Sequence, residues 1–296
     1  MESISENIFI EEGYSGVLLG AINQPRGMVQ IDAPPLPEDG RSWRASLMGL
    51  SSGPERLLIN LDAHPDRTLG VRAMDCTVIA HEKTAQLFRN RPNAFKPSNE
   101  ETGAEWEAMP GLSGMRWSPP EISFTKEISI DWGGTEIRLE HHPGPSLEAI
   151  WAILPEEKVM FVGDAVLKNQ PPYLANAHIP AWLEALEILQ SDEYRDYTVI
   201  SGRDGKASDI YINYQIEFLR DALKRLEKLA AKKGTPDSTE SLIQPLLRHL
   251  KFASARQEQY AQRLRYGLRY YYIRNYKDKN GYHIFMEKIH FRSLKI

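Results

Sequence analysis

Apolar positions in the first two thirds of the chain come in short runs, alternating or continuous, broken by Gly, Asn and Pro. This is the pattern of half-buried and fully buried strands. Residues 7–12 (NIFIEE), 16–23 (GVLLGAIN), 27–34 (GMVQIDAP) and 56–60 (RLLIN) form a first group, with a helix expected over 37–50. Later come 77–80 (TVIA), 135–140 (TEIRLE), 149–155 (AIWAILP), 158–164 (KVMFVGD) and 197–202 (YTVISG), with helices expected over 81–90 and 180–190. Two strand groups, each accompanied by helices, predict a layered α/β (α+β) domain. Residues 91–120, rich in Pro, Gly, Asn and Trp, read as one long loop of the kind that often serves as a lid.

The period changes at Ser208. Ile212, Ile216, Leu219, Leu223, Leu226 and Ala230 recur at spacings of three and four, which puts them on one face of a helix, with Ser208 as N-cap and Gly234 as stop. A second helix is expected over 239–250. A third starts at Ser254, with Gln257 in capping-box position, and runs to about Tyr276. These changes divide the chain into a domain of residues 1–233 and a helical, Tyr-rich extension of residues 234–296.

Composition adds a charge asymmetry. The net charge is −4, yet residues 251–296 hold 11 Lys or Arg against 3 Asp or Glu, leaving 25 against 37 in the rest. The tail is therefore basic and the body acidic. No run approaches the roughly 20 apolar residues of a membrane span, and the opening MESISENIFIEE is acidic where a secretory leader is basic and then apolar. A cytoplasmic protein with no membrane contact is expected. The single cysteine, Cys76, excludes an internal disulfide and a Cys-rich metal cluster, and in CTVIA it reads as a buried structural thiol.

Three loops, each just after an expected strand, concentrate the polar chemistry: LDAHPDR (61–67), HHPGPS (141–146) with VGDAV (162–166) soon after, and SGRDG (201–205). Their order and spacing resemble the metallo-β-lactamase superfamily over roughly residues 6–230. The flanks IDAPP, HPDRTLG, VIAHEKT and LPEEKVMFVGDAV look like their counterparts in that family as well. The resemblance implies a four-layer αβ/βα sandwich followed by the helical C-terminal extension, and a hydrolase-like activity. In that family the first loop reads H-x-H-x-D-H, the second carries a His after Pro-Gly, the third supplies a metal-bridging Asp, and the last often reads P-G-H-G.

Carried over residue by residue, the resemblance leaves gaps. Asp62 stands where the first His is expected, His64 and Asp66 are kept, and Arg67 replaces the last His of the loop. Pro145 occupies the next His position, Asp164 keeps the bridging position, and Arg203 replaces the final His. Of five expected imidazoles only His64 remains. A guanidinium stays protonated and offers donors without a usable lone pair, so Arg67 and Arg203 cannot act as ligands.

The second metal position, built from Asp66, Arg67, Arg203 and Asp164, is therefore expected to be empty. Asp62, His64 and Asp164 would suffice for a mononuclear site holding one zinc, iron or manganese ion. Alternatively no metal binds, and Arg67 and Arg203 neutralise the three carboxylates through bidentate pairing. His141 and His142 lie close to Pro145, and a loop rearrangement could bring one of them toward that position, but His142 is expected rather to end a strand and bond locally; His81 and His178 are assigned no function.

The leading expectation is a divergent, hydrolase-like protein with a degraded two-metal site, metal-free or holding at most one metal, and a cleft for a small-molecule ligand. The alternative is an active mononuclear hydrolase of an ester, thioester, lactone or amide, with Asp66, Arg67 and Arg203 in the catalytic roles. Residues 260–279, YAQRLRYGLRYYYIRNYKDK, interleave Tyr with Arg, which suits stacking on nucleic-acid bases, a homodimer contact, or an amphipathic helix packed on the body. The apolar spacing and the acidic body favour the last, so nucleic acid is the least expected partner, using residues 256–292 if at all.

Overall fold

The computed structural model describes residues 1–97 and 99–277. A first sheet runs in sequential order through β1 (Glu2–Ser5), β2 (Ile8–Glu11), β3 (Leu19–Gln24), β4 (Gly27–Ile31), β5 (Glu55–Ile59), β6 (Thr77–His81) and β7 (Ile122–Phe124). It is antiparallel up to β4 and parallel from β4 to β7. A second sheet has the order β13-β12-β11-β10-β9-β8, from β8 (Glu127–Ile130), β9 (Ile137–His141), β10 (Ile150–Leu154), β11 (Val159–Phe161), β12 (Thr198–Ser201) and β13 (Gly205–Ala207). Only β11 and β12 are parallel there.

Period-2 alternation explains how the sheets stack. In β10, all five residues are buried; Ile150, Ala152 and Leu154 face the first sheet, while Trp151 and Ile153 face the helices outside. Ile8, Ile10, Ile22, Val29, Ile31, Leu57 and Ile59 of the first sheet meet Ile137, Leu139, Val159, Phe161 and Ile200 of the second in one inter-sheet core. Helix α1 (Pro37–Met48) covers the outer face of the first sheet through Trp43 and Leu47, beside Met28, Leu58 and Val78. Helices α4 (Ile179–Leu189) and α5 (Asp209–Ala231) cover the second sheet. This is the four-layer αβ/βα arrangement expected from the loop resemblance.

Two short helices complete the first half: α2 (Pro65–Thr68) and α3 (Glu82–Asn90). Beyond α5 come a 3₁₀ segment (Pro236–Leu242), α6 (Ile243–Leu247) and α7 (Gln257–Tyr272), the last followed by a π turn (Ile273–Lys277). The single helix expected over 239–250 is thus split. Pro245 lacks the amide hydrogen that an interior position needs and is tolerated because it falls in the first turn of α6. Ser254 opens a 3₁₀ turn with no side-chain cap, and the capping box is at Thr235 and Ser238 instead.

Helix α7 packs Tyr260, Leu264, Leu268, Tyr271 and Tyr272 into the same core as Trp151, Leu219 and Leu226. Among the described residues no helix is long and apolar enough to cross a membrane.

Candidate functional site

The chemically marked residues lie beyond the C-terminal ends of β4, β5, β11 and β12. Neighbouring parallel strands deliver their following loops to one edge, and the sandwich brings the edges of both sheets together there. After β4 comes Asp32, held at a φ of +59°. After β5 the chain passes Asp62 and enters α2, whose N-cap is His64. After β11 a 3₁₀ turn (Gly163–Ala165) presents Asp164, fixed from behind by the Trp182 indole N–H on the Ala165 carbonyl at 2.9 Å. Arg203 stands in the turn between β12 and β13.

Arg203 spends all of its N–H groups inside the cluster. Its Nε and Nη2 grip both oxygens of Asp164, at 2.9 and 3.0 Å. Its Nη1 donates to Asp66 Oδ2 and to the Gly16 carbonyl, each at 2.7 Å, and Nη2 also approaches His64 Nδ1 at 3.3 Å. Arg67 is fully buried, with Nη2 on Asp164 Oδ1, Nε 3.4 Å from Asp62 Oδ1 and Nη1 3.5 Å from Asp32 Oδ2. Room for its guanidinium depends on two glycines. A Cβ on Gly163, whose φ is +59°, would lie 3.2 Å from Arg67 Nη1, and one on Gly202 would lie 3.0 Å from it. Asp164 thus receives three guanidinium N–H groups from two arginines.

The electrostatics follow. Burial pushes the Asp164 carboxyl up, but Arg203 and Arg67 outweigh it and hold the group far below the usual carboxylate range. Asp32 goes the other way: burial raises it to about 7 against the pull of Arg67. Burial also raises Asp62 and Asp66, with Arg67 opposing at the first and Arg203 at the second. Burial and then Arg203 push His64 well below the ordinary imidazole range, so its ring is neutral. Its Nδ1 accepts from the Asp66 amide at 3.3 Å. The proton of the neutral ring therefore sits on Nε2.

The expected site residues Asp62, His64, Asp66, Arg67, Asp164 and Arg203 are brought together, while the surrounding histidines are not part of the cluster. His141 Nε2 bonds the Leu147 carbonyl at 2.8 Å and its ring stacks on His81 at 3.9 Å. His142 bonds Glu140 at 2.9 Å and stacks on Trp151, the local bonding expected of it, and His141 bonds locally too. His81 and His178 cap α3 and α4. Cys76 is only partly buried, not fully as expected, and burial still pushes its thiol up to about 11.

Four contributors escaped sequence reasoning. Asp32, in IDAPP, carried a signal: a carboxylate at the end of an otherwise apolar strand. Arg263 carried another, since it sits three residues after Tyr260 and one before Leu264 on the inward face of α7 and must find a partner there. Tyr173 and the Trp106 amide, which donates to Asp66 Oδ1 at 2.9 Å, carried none.

The arginines of α7 and its flanks are engaged by the body: Arg256 and Arg263 with Glu105, Arg265 with Glu240, Arg269 with Asp237, and Arg274 with the Ala177 carbonyl. Part of the 256–292 segment considered for nucleic acid lies outside the described residues.

Comparison with known proteins agrees with the architecture. The fold is similar to that of a metallo-beta-lactamase from Pontibacter korlensis, at 18% identity and a TM-score of 0.56, over 74% of this chain and 97% of that one. DIM-1 metallo-beta-lactamase gives 18% and 0.57, over 75% and 96%. A double mutant of the sec-alkyl sulfatase PisA1 gives 15% and 0.62, over 96% of this chain and 51% of that one. A family model described as the metallo-beta-lactamase superfamily matches residues 63–233, more than half of the sequence. The chain belongs to the metallo-beta-lactamase superfamily.

Proposed function

We propose that this chain is a metal-free member of its superfamily, in which Arg67 and Arg203 take the electrostatic place of the cations and the protein binds a small molecule without metal-assisted hydrolysis. The observation that carries this reading is the saturation of Asp164 by two guanidinium groups. The donor set does not suit a cation. Both Asp164 oxygens are taken, the His64 Nδ1 lone pair is turned to the Asp66 amide and Arg203, and Asp62 Oδ1 accepts the His64 amide at 2.8 Å. Among the described residues no group of three or more His, Cys, Asp or Glu is placed to hold a metal.

Arg203 is committed in the same way, and Arg67 hydrogen-bonds Asp164 through Nη2. Arg203 has no spare N–H for an anion, and Arg67 is enclosed, so neither meets a ligand while the cluster is intact. The His64 ring, whose side chain is 19% exposed, and the Tyr173 hydroxyl, buried without a hydrogen-bond partner among the described residues, are left to do so.

Elemental mass spectrometry tests the reading on folded, tag-free protein incubated with zinc, iron or manganese and then desalted. Metal far below one equivalent is expected. One equivalent, lost on His64→Ala, would establish instead the mononuclear hydrolase built on Asp62, His64 and Asp164. Replacing Arg67 and Arg203 together by His is expected to create zinc retention that the parent lacks; unchanged content would put the obstacle at Pro145.

A further inference from the structure

Helix α7 buries a charge that the cluster itself does not need. Arg263 is 1% exposed, and a buried guanidinium is tolerated only when its donors are met. Its Nε donates to the Gly103 carbonyl at 3.1 Å, and its Nη1 to Gln170 Oε1 and the Pro171 carbonyl at 2.9 and 3.2 Å. Its Nη2 lies 3.3 Å from Glu105. Every partner belongs to one of two loops, 99–109 and 167–173, that border the candidate site. Arg263 also sits over the Tyr173 ring at 4.1 Å, and Arg203 sits over the same ring at 4.7 Å. One aromatic side chain therefore joins the helix to the cluster.

The 99–109 loop is pressed between α7 and the cluster. On the helix side, a Cβ on Gly103, whose φ is +73°, would lie 2.6 Å from both the Gln259 carbonyl and the Arg263 amide. On the cluster side, a Cβ on Gly16 would lie 2.7 Å from Glu105 Cβ and 3.1 Å from Asp66 Cγ. The next residue, Trp106, donates its amide to Asp66. Trp106 thus holds the Asp66 carboxylate, Glu105 lies against Gly16, whose carbonyl Arg203 holds, and Glu105 is tied down by Arg263 and by Arg256, the latter at 2.9 Å.

We propose that the C-terminal helix latches this loop shut over the site, with Arg263 as the positioning residue. A ligand entering on this side does so only when Glu105 leaves the two arginines and Trp106 leaves Asp66. The latch rests on the reading of the guanidinium–carboxylate cluster as the working centre, whatever occupies it.

Hydrogen–deuterium exchange on the full chain tests it, comparing Arg263→Gln and Glu105→Gln with the parent. Glu105→Gln is nearly isosteric and leaves α7 unaltered. Exchange over residues 102–109 is expected to quicken about tenfold in both variants while β10 keeps its protection, the signature of local opening. Parent-like exchange over 102–109 in Glu105→Gln overturns the latch. Equal acceleration of 102–109 and β10 in both variants overturns it too, because Arg263 and Glu105 would then serve global stability alone. Metal content on the same samples separates the two readings: bound metal in the parent removes the metal-free assignment without touching the latch, whereas a failed exchange test removes only the latch.

Discussion

Arg203→Met is expected to lower the unfolding free energy by about 3–5 kcal/mol at neutral pH, the cost of stripping the partner from a buried charge. The side chain is 3% exposed, and its loss leaves Asp164 with Arg67 alone and Asp66 with the Trp106 amide alone. Three chain segments separate at once, because Arg203 joins the turn after β12 to the turn after β11, to α2 and to Gly16. Urea denaturation of parent and variant gives the difference, and high salt is expected to leave it nearly unchanged, since buried pairs are little screened. Arg203→Lys is expected to recover only a small part, because an ammonium cannot span both Asp164 oxygens and Asp66 as the planar fork does. A loss below about 1 kcal/mol, the value of an exposed pair, would mean that the cluster does not hold the loops.

How much of this arrangement was legible in the sequence depended on whether a signal was local. The run IWAIL declared itself because every residue of β10 is buried, and its position between turn residues fixed it as a core strand. The site carboxylates were legible because Asp62, Asp66 and Asp164 each follow a strand at a spacing shared with the family. Strands β1, β7, β8 and β13 were missed: they are three or four residues long and each includes exposed positions.

The partners of the arginines were hidden for a different reason. Arg67 meets Asp164 across 97 positions and Arg203 meets Asp66 across 137, so neither pairing exists until both sheets have closed. Charge counting could suggest that Asp and Arg pair, but not that Asp164 would take three guanidinium N–H groups while Asp32 is met by the Leu61 amide, the Asn60 side chain and only a longer 3.5 Å approach of Arg67. The Trp106 contact is made by a backbone amide, which any residue type supplies. The latch was hidden by the same logic, since α7 read as an amphipathic helix whose tyrosines face inward. It does pack that way, and the exception, Arg263, is the residue that reaches the site loops.

Asp32→Asn is expected to gain stability over the parent as pH rises. The folded-state pKa of Asp32 is about 7, raised by burial from 3.8. Between those values the unfolded chain has released the proton and the native chain still holds it, so the native state binds more protons and unfolding becomes easier as pH increases. Each pH unit in that window costs about 1.4 kcal/mol, so the variant is expected to gain about 3 kcal/mol on the parent between pH 5 and pH 8. Asparagine suits the position, because it tolerates the left-handed backbone that Asp32 adopts. His64 acts in the opposite sense: its lowered pKa makes the native state bind fewer protons below about 6.5, so its contribution is lost as pH falls. Taking the difference between variant and parent cancels that term. Parallel stability curves across the range would mean that Asp32 is ionised throughout and fully paired with Arg67. Asp32 would then be a permanent counter-ion of the cluster, with Arg67 neutralised on three sides.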